Sequence, residues 1–324
     1  MRIAVPAQLD SSGLADRDPL ATVGRLDGDT LGTTWSAQFA TRPHIGPAQV
    51  RPLIESRLAG IVAEMSHWEP DSLLSRFNRD RGGQWTALPH DFATVIAGGL
   101  AIAERSDGAF DPTIGQLVNL WGFGPGGPCP PPQAEQISWA LDQSGWQRLA
   151  HDVSLRRIRQ PGGLSLDFSG IAKGYAVDAV ADMLADQGLR HVLVEIGGEL
   201  VGRGMRPDGD PWWVDLERPP GTDFPPLRIA LHGLAVATSG TYRRGYHSID
   251  PRTGLPVRNG IISLSVIDQT ALAADAWATA LTVLGPEAGM TLAAERQIAA
   301  RFVVLEEGHP SELLSPALIA MLDG

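Results

Sequence analysis

Only one of the 26 lysines and arginines in the chain is a lysine, and it is Lys173. It lies in the segment Leu166–Tyr175, which is expected to run from a strand through Gly170 into the start of a helix. A helix start presents unpaired N–H groups and a positive dipole end, which together suit a phosphate. A lysine ammonium is a compact charge that the planar arginine side chain does not reproduce. The segment therefore indicates an anion site, although a surface lysine left by chance in an arginine-rich chain is the alternative.

A second candidate is Asp275, the only charged residue between Thr270 and Leu284. The alanine-rich pattern predicts a helix over these residues that ends at Gly285. Thr279 follows four residues after Asp275, so both side chains lie on one face of that helix. A carboxylate in such apolar surroundings needs a partner, and Mg²⁺ prefers oxygen ligands. Two alternatives stay open: Asp275 binds a neighbouring backbone group, or it faces water.

Two loops add candidates. Residues 237–254 are rich in Gly, Ser and Thr, and they contain His247 just before an Asp-Pro-Arg-Thr-Gly turn. His247 could act as a general base near neutral pH, or it could be a strand-end histidine bonded to the backbone. Residues 107–115 combine turn formers with Phe110, so this loop could hold a planar ring or serve as a packed structural loop.

Composition excludes several classes of function. The formal net charge of -11 argues against non-specific binding to nucleic acid and to anionic membranes, which both require a basic surface. The chain has no Walker-type phosphate loop, no strand-linked Gly-x-Gly-x-x-Gly, no Gly-x-Ser-x-Gly and no His/Cys cluster for zinc. Its single cysteine, Cys129, lies among prolines and is expected to be a loop thiol.

The 324 residues allow one large or two ordinary domains. The N-terminal segment has no apolar run of signal-peptide length, and no later segment is long enough to span a bilayer. We therefore expect a soluble, cytoplasmic protein, and a mature periplasmic form trimmed of a signal peptide would have the same appearance.

Periodicity places these candidates in an α+β fold with mixed sheets flanked by helices. Residues 1–30 have weak periodicity and are expected to form a loose arm. Asp91 is expected to cap a helix, and residues 122–133 to form a loop. Helices are predicted over 50–65, 91–100, 133–143, 171–188, 270–284 and 311–322, and strands over 33–39, 153–155, 164–168, 192–196, 212–216, 227–231, 234–238, 261–267 and 302–305.

Taken together, these segments resemble the ApbE family of FAD:protein FMN transferases over roughly residues 31–290. The blocks that carry the resemblance occur in the family's order. They are Gly32-Thr33-Thr34-Trp35-Ser36, Pro70–Asn78, Gly108–Thr113, Gly170–Tyr175, Ile196-Gly197-Gly198, Ala237–Gly240, His247–Gly254 and Ala274–Thr279. Two features depart from the family's pattern: Leu31 replaces a usual methionine, and the lipobox cysteine of exported members is absent.

The resemblance implies that residues 31–324 form a single ApbE-like domain. It implies FAD as the donor substrate, Mg²⁺ as cofactor and a threonine of an acceptor flavoprotein as the target, with AMP released. By analogy, Gly170, Asp275 and Thr279 bind Mg²⁺; Ala109, Phe110, Asp111, Asp167, Lys173 and Ile249 bind FAD; and His247 and Lys173 are catalytic. Two alternatives remain, a Mg²⁺-dependent FAD pyrophosphatase that yields FMN and AMP, and a flavin-binding protein without catalysis.

Overall fold

The computed structural model describes residues 1–6, 16–42 and 45–322. Its strands are β1 Arg2–Ala4, β2 Thr22–Thr30, β3 Thr33–Thr41, β4 Trp85–Ala87, β5 Ala150–Asp152, β6 Arg157–Arg159, β7 Val192–Ile196, β8 Glu199–Arg203, β9 Trp212–Asp215, β10 Leu227–Leu231, β11 Leu234–Gly240, β12 Ile249–Asp250, β13 Leu255–Pro256, β14 Ile261–Asp268, β15 Ala299–Glu306 and β16 His309–Leu314. Its α-helices are α1 Pro47–Met65, α2 Leu73–Arg79, α3 His90–Arg105, α4 Gly115–Leu120, α5 Ala134–Gln143, α6 Ala172–Asp186, α7 Thr241–Arg244, α8 Ala271–Glu295 and α9 Pro316–Leu322.

The largest sheet has eight strands in the order β16-β15-β14-β11-β8-β7-β3-β2, and every neighbouring pair in it is antiparallel. Parallel pairing between named strands occurs at β1 and β10, in a three-stranded sheet with β9. The α+β prediction is thus confirmed. Among the described residues, no helix has the length and apolar character needed to cross a membrane.

Alternating side chains of the large sheet enter two separate cores. On β11, Ala235 and Ala237 face the core that also contains the buried residues of α1, α3, α6 and α8. Val236 faces the opposite core with Trp212 and Ile229 of the small sheet. Successive strand residues point to opposite faces, so a strand buried on both sides is apolar throughout. The large sheet therefore separates a layer of helices from a layer formed by the small sheet and α9.

Helices α6 and α8 pack closely enough to bring their backbones together. A Cβ placed on Gly174 would lie 2.1 Å from the carbonyl oxygen of Ala271 and 2.8 Å from Cβ of Asp275. Because glycine has no Cβ, the Gly174 N–H can approach and donate to Asp275 Oδ2 at 3.1 Å. Asp178 also joins these helices, since its carboxylate accepts the N–H groups of Ala271 and Leu272 at the start of α8.

Helix α8 continues beyond its expected end at Gly285, but it breaks there. Gly285 has φ 84° and ψ 177°, and Pro286 follows it without an N–H to donate. The carbonyl of Thr282, which an N–H at position 286 would otherwise reach, accepts instead from the side-chain amide of Asn259 at 2.8 Å. The prediction of a helix over 270–284 is correct for the segment that contains Asp275 and Thr279.

Several predicted elements differ from the structure. Residues 153–155 form the turn between β5 and β6, and Val153 and Leu155 are exposed. Residues 164–168 are buried but form only an isolated bridge, between Ser165 and Ile114. Asp91 lies inside the first turn of α3 and does not cap it; it accepts from Arg57 and Tyr175.

The loose arm expected over residues 1–30 is wrong for two segments. Strand β1 pairs with β10, and β2 forms an edge of the large sheet against β3. Residues 7–15 lie outside the described part of the chain. At the other end, the segment before Ser315 is strand β16, and the final helix begins only at Pro316.

Candidate functional site

A cavity of about 400 Å³ opens where α6, α8 and the ends of β7, β8 and β11 meet. Seven of the residues expected at the site line this one cavity, although more than a hundred positions separate the first from the last. They are Asp167, Gly170, Lys173, His247, Ile249, Asp275 and Thr279.

Lys173 and Asp275 come together as the sequence patterns indicate. The Lys173 ammonium lies 3.8 Å from Asp275 Oδ2. It also donates a hydrogen bond to Oε1 of Glu199, the first residue of β8. Glu199 and Asp275 are 3% and 4% exposed, so this ammonium lies between two buried carboxylates. The reading of Asp275 as a residue facing water is therefore wrong.

The two carboxylates carry more negative charge than Lys173 neutralises. Burial raises the pKa of Glu199 and of Asp275, against the lowering influence of the Lys173 ammonium. Within the described part of the chain, Oε2 of Glu199 is buried and has no hydrogen-bond partner. Buried polar atoms are normally paired, so the site is short of positive charge or of a hydrogen-bond donor.

Thr279 and Gly170 provide the other oxygen donors expected at a metal. Thr279 lies one turn beyond Asp275 on α8, and its Oγ1 would be 2.7 Å from a Cβ placed on Gly170. Among the described residues, no group of three or more His, Cys, Asp or Glu side chains could hold a metal ion. A carboxylate, a hydroxyl and a backbone carbonyl form an oxygen-only set that fits Mg²⁺, which usually retains places for water and substrate phosphate.

Asp167 faces the cavity and has a partner that the sequence patterns did not identify. His67, just after α1, lies with Nδ1 3.1 Å from Asp167 Oδ2, and Ser169 N–H donates to the other oxygen. Burial acts to raise the pKa of Asp167, but the bonds from His67 and Ser169 lower it overall. Burial acts to lower the pKa of His67, and Asp167 raises it overall. Their contact therefore favours the charged form of each group, the imidazolium of His67 and the carboxylate of Asp167.

His247 follows α7 in the loop that leads to β12. Its Nδ1 lies 3.0 Å from the carbonyl oxygen of Gly245. A carbonyl only accepts hydrogen bonds, so Nδ1 carries a proton, and in the neutral form of the ring the lone pair is on Nε2. His247 therefore binds the backbone and also lines the cavity, and its role as a general base stays a prediction.

The structure does not place Ala109, Phe110 and Asp111 on the cavity wall. All three are buried behind it. The Phe110 ring would be 3.4 Å from a Cβ on Gly170, and Asp111 accepts from Thr113 and from the N–H of Trp146. Phe110 thus packs next to Gly170, and the contact of all three residues with FAD stays a prediction.

Glu199 and His67 belong to the site but were missed in the sequence. Glu199 directly follows the Ile196-Gly197-Gly198 block, so its position next to that motif was the available signal. His67 is separated from Asp167 by a hundred positions, and nothing in the local pattern indicates the pairing.

Comparisons with known proteins show the family of the chain. The model of the ApbE family matches residues 31–302. A FAD:protein FMN transferase of Klebsiella pneumoniae is 33% identical, covering 97% of this chain and 93% of its own length. One from Vibrio cholerae is 36% identical over 86% of each chain. The crystal structure of the Pseudomonas stutzeri flavinyl transferase ApbE has a TM-score of 0.87 at 36% identity, covering 93% of this chain and 97% of that one. The chain belongs to the ApbE family.

Proposed function

We propose that this chain is a FAD:protein FMN transferase that uses Mg²⁺ to transfer FMN from FAD to a threonine hydroxyl of an acceptor protein, with release of AMP. The observation that carries the proposal is the single cavity in which Lys173, Asp275, Thr279 and His247 meet. The relatives named FAD:protein FMN transferase support a flavin donor and a protein acceptor.

Asp275, Thr279 and the Gly170 carbonyl would hold the Mg²⁺. The ion would act as a Lewis acid and neutralise charge on the diphosphate oxygens of FAD. Lys173 adds a point charge that can bind a phosphate oxygen. These groups form one wall of the cavity, so the diphosphate is the part of FAD that this wall is suited to bind.

The reaction joins the threonine oxygen to the phosphorus of the FMN moiety. The bond from that phosphorus to the bridging oxygen breaks, and AMP leaves with that oxygen. The threonine proton goes to Nε2 of His247, which holds a lone pair because Nδ1 donates to Gly245. Phosphoryl-type transfer requires the nucleophile and the leaving oxygen to lie in line.

The test is incubation of the protein with FAD, Mg²⁺ and candidate acceptors, followed by intact-mass measurement. The expected result is an acceptor heavier by one FMN phosphoester, with AMP formed in equal amount. AMP and FMN without any acceptor adduct would indicate the pyrophosphatase instead. FAD that survives Mg²⁺ unchanged for hours would indicate a flavin-binding protein without catalysis.

A further inference from the structure

The two carboxylates beside Lys173 do not share its ammonium equally. Nζ donates to Oε1 of Glu199 at hydrogen-bonding distance, whereas Oδ2 of Asp275 is 3.8 Å away. An ammonium that moved onto Asp275 would occupy the oxygen that a metal ion needs. Lys173 is the nearest cation to Asp275 among the described ion pairs, so it is the residue that could compete there with a divalent cation.

We infer that Glu199 is a positioning residue that holds the Lys173 ammonium away from Asp275, so that the Asp275 carboxylate stays available to a divalent cation. The inference rests on the metal site of the proposed function. It assigns to Glu199 a role that it performs through Lys173, without itself binding the metal or FAD.

The backbone fixes Glu199 for this role. It follows a two-glycine turn, Gly197 and Gly198, in which both residues have positive φ angles of 61° and 99°. It pairs with Ile196 across the β7–β8 hairpin, so its Cα position does not depend on its side chain. Among the described residues, Lys173 is its side chain's hydrogen-bond donor, and Oε2 has none.

The net charge of the cluster also supports a positioning role for Glu199. Glu199, Asp275 and Lys173 together carry a formal charge of about −1, which attracts a cation in a site of low dielectric constant. Replacement of Glu199 by glutamine would make the sum neutral. Asp275 would then become the only anionic partner of Lys173 in this cluster. Metal affinity should fall because the ammonium must be displaced before the ion binds.

The experiment measures binding of Mn²⁺ alone by electron paramagnetic resonance, without FAD, so its result does not depend on turnover. Relative to wild type, E199Q should weaken Mn²⁺ binding at least about tenfold, the usual cost of losing an outer partner of a metal ligand. The matched control is E195Q, which neutralises another carboxylate of the same cavity, one that accepts from the Gly198 N–H. We expect E195Q to stay within about threefold of wild type.

A second pair of variants tests whether Lys173 transmits the effect. In a Lys173→Met background, E199Q should change Mn²⁺ affinity less than about threefold, because no ammonium is left to move. An equal loss in both backgrounds would overturn the inference, since Glu199 would then act by charge alone. If E199Q does not fold, E199D carries the same comparison. Aspartate keeps the negative charge, but its shorter side chain reaches less far towards Lys173. We expect E199D to lose less Mn²⁺ affinity than E199Q, and we expect Lys173→Met to abolish that loss.

The outcomes separate this inference from the proposed function. Wild-type Mn²⁺ affinity in E199Q would overturn the role of Glu199 and leave the metal site intact. Absence of Mn²⁺ binding by wild type would overturn both.

Discussion

The Asp275 carboxylate is a buried charge at the proposed metal site. It is 4% exposed, accepts one backbone N–H from Gly174, and has a pKa that burial raises despite the nearby Lys173. Replacing it with asparagine keeps its shape and an acceptor for Gly174 while removing a buried charge. Lys173 keeps Glu199 as its counter-charge, so this substitution does not leave a buried cation unpaired, which is the costly case.

We therefore expect Asp275→Asn to lower Mg²⁺-dependent turnover at least about 100-fold, since even outer partners of a ligand cost 10–100-fold. The free energy of unfolding should change by less than about 1 kcal/mol. AMP release and urea unfolding measure the two effects. Asp182→Asn, on the exposed side of α6, is the control. Full activity of Asp275→Asn at limiting Mg²⁺ would remove the carboxylate from the metal site.

The second residue-scale prediction concerns His247. Loss of a general base costs roughly 10²–10⁴-fold, so His247→Ala should reduce acceptor flavinylation by about that factor. Hydrolysis of FAD by water should fall less, because water does not depend on the geometry that orients a threonine. Intact mass reports transfer, and AMP release without acceptor reports hydrolysis. The control is His309→Ala, because His309 is exposed at the start of β16. Equal losses of transfer and hydrolysis would argue against His247 as the general base.

At the scale of elements, the close approach of α6 and α8 depends on Gly174. In Gly174→Ala the new Cβ would lie 2.1 Å from a backbone oxygen, so the two helices must move apart. We expect a loss of about 2–3 kcal/mol in the free energy of unfolding, measured in urea. Gly60→Ala is a matched control, because Gly60 lies within α1 with open space around its Cα. The free energy of unfolding of Gly60→Ala should rise by up to about 1 kcal/mol, because alanine has the higher helix propensity. A change in the same direction for both variants would contradict the role of Gly174.

Asp178 links the same helices and introduces a pH dependence. Burial raises the pKa of Asp178 to about 6, although its bonds to Leu272 and Ala271 and the charge of Arg203 lower it; Asp182 also raises it. The folded state therefore binds more protons than the unfolded state between about pH 4 and pH 6. It follows that the Asp178 contribution to the free energy of unfolding decreases as pH rises through this window.

The measurement is the difference in free energy of unfolding between wild type and Asp178→Asn at a series of pH values. The free energy of unfolding of wild type minus that of Asp178→Asn should fall by at most about 3 kcal/mol from pH 4 to pH 7 and then become constant. Asp182→Asn gives the comparison for a carboxylate that is exposed. If the difference in free energy of unfolding rose with pH instead, the fold would favour the ionised form of Asp178.

The sequence predicted some elements better than others for physical reasons. Helix α1 has an apolar residue at every third or fourth position, and the helix is observed. Strand β2 was missed because it lies at a sheet edge, where only Leu26 is buried and polar residues occupy both faces. Val153 and Leu155 alternate as in a strand, yet both are exposed in a turn.

The site was predictable where its residues lie in local motifs. Lys173, Asp275 and His247 each stand out in their own segment, and the family resemblance brought the segments together. Glu199 and His67 act through contacts made across the fold, with Lys173 and Asp167. A carboxylate or imidazole whose role depends on a distant partner has no signature in its own neighbourhood.

At the scale of the whole molecule, a buried ion cluster joins the chain's first strand to its last hairpin. Glu312 of β16 accepts from Arg301 Nε at 2.7 Å and from Arg2 Nη2 at 2.8 Å. Arg301 is 1% exposed, so its guanidinium depends on this carboxylate. Burial acts to raise the pKa of Glu312, but the bonds from the two arginines lower it overall.

Glu312→Gln would leave the Arg301 cation buried without its counter-charge. We expect a loss of about 3 kcal/mol in the free energy of unfolding at pH 7. Since the folded pKa of Glu312 is lowered, this contribution is present at neutral pH and is lost as pH falls below about 4. Chemical unfolding at both pH values measures it. Asp208→Asn, in an exposed pair with Arg206, should cost less than about 1 kcal/mol, and an equal effect of both variants would contradict the role of burial.

The break at Gly285 and Pro286 divides α8 into two lengths that do not share a continuous hydrogen-bond ladder. Local unfolding that begins at the C-terminal end of α8, near Glu295, should stop at Gly285, because helical cooperativity passes from one hydrogen-bonded turn to the next. The proximal turns are instead anchored from the side by Asn259 and Asp178. Amide exchange should therefore be faster in the turns after Gly285 than in the turns that contain Asp275 and Thr279, and thermal fraying of one half need not disturb the other.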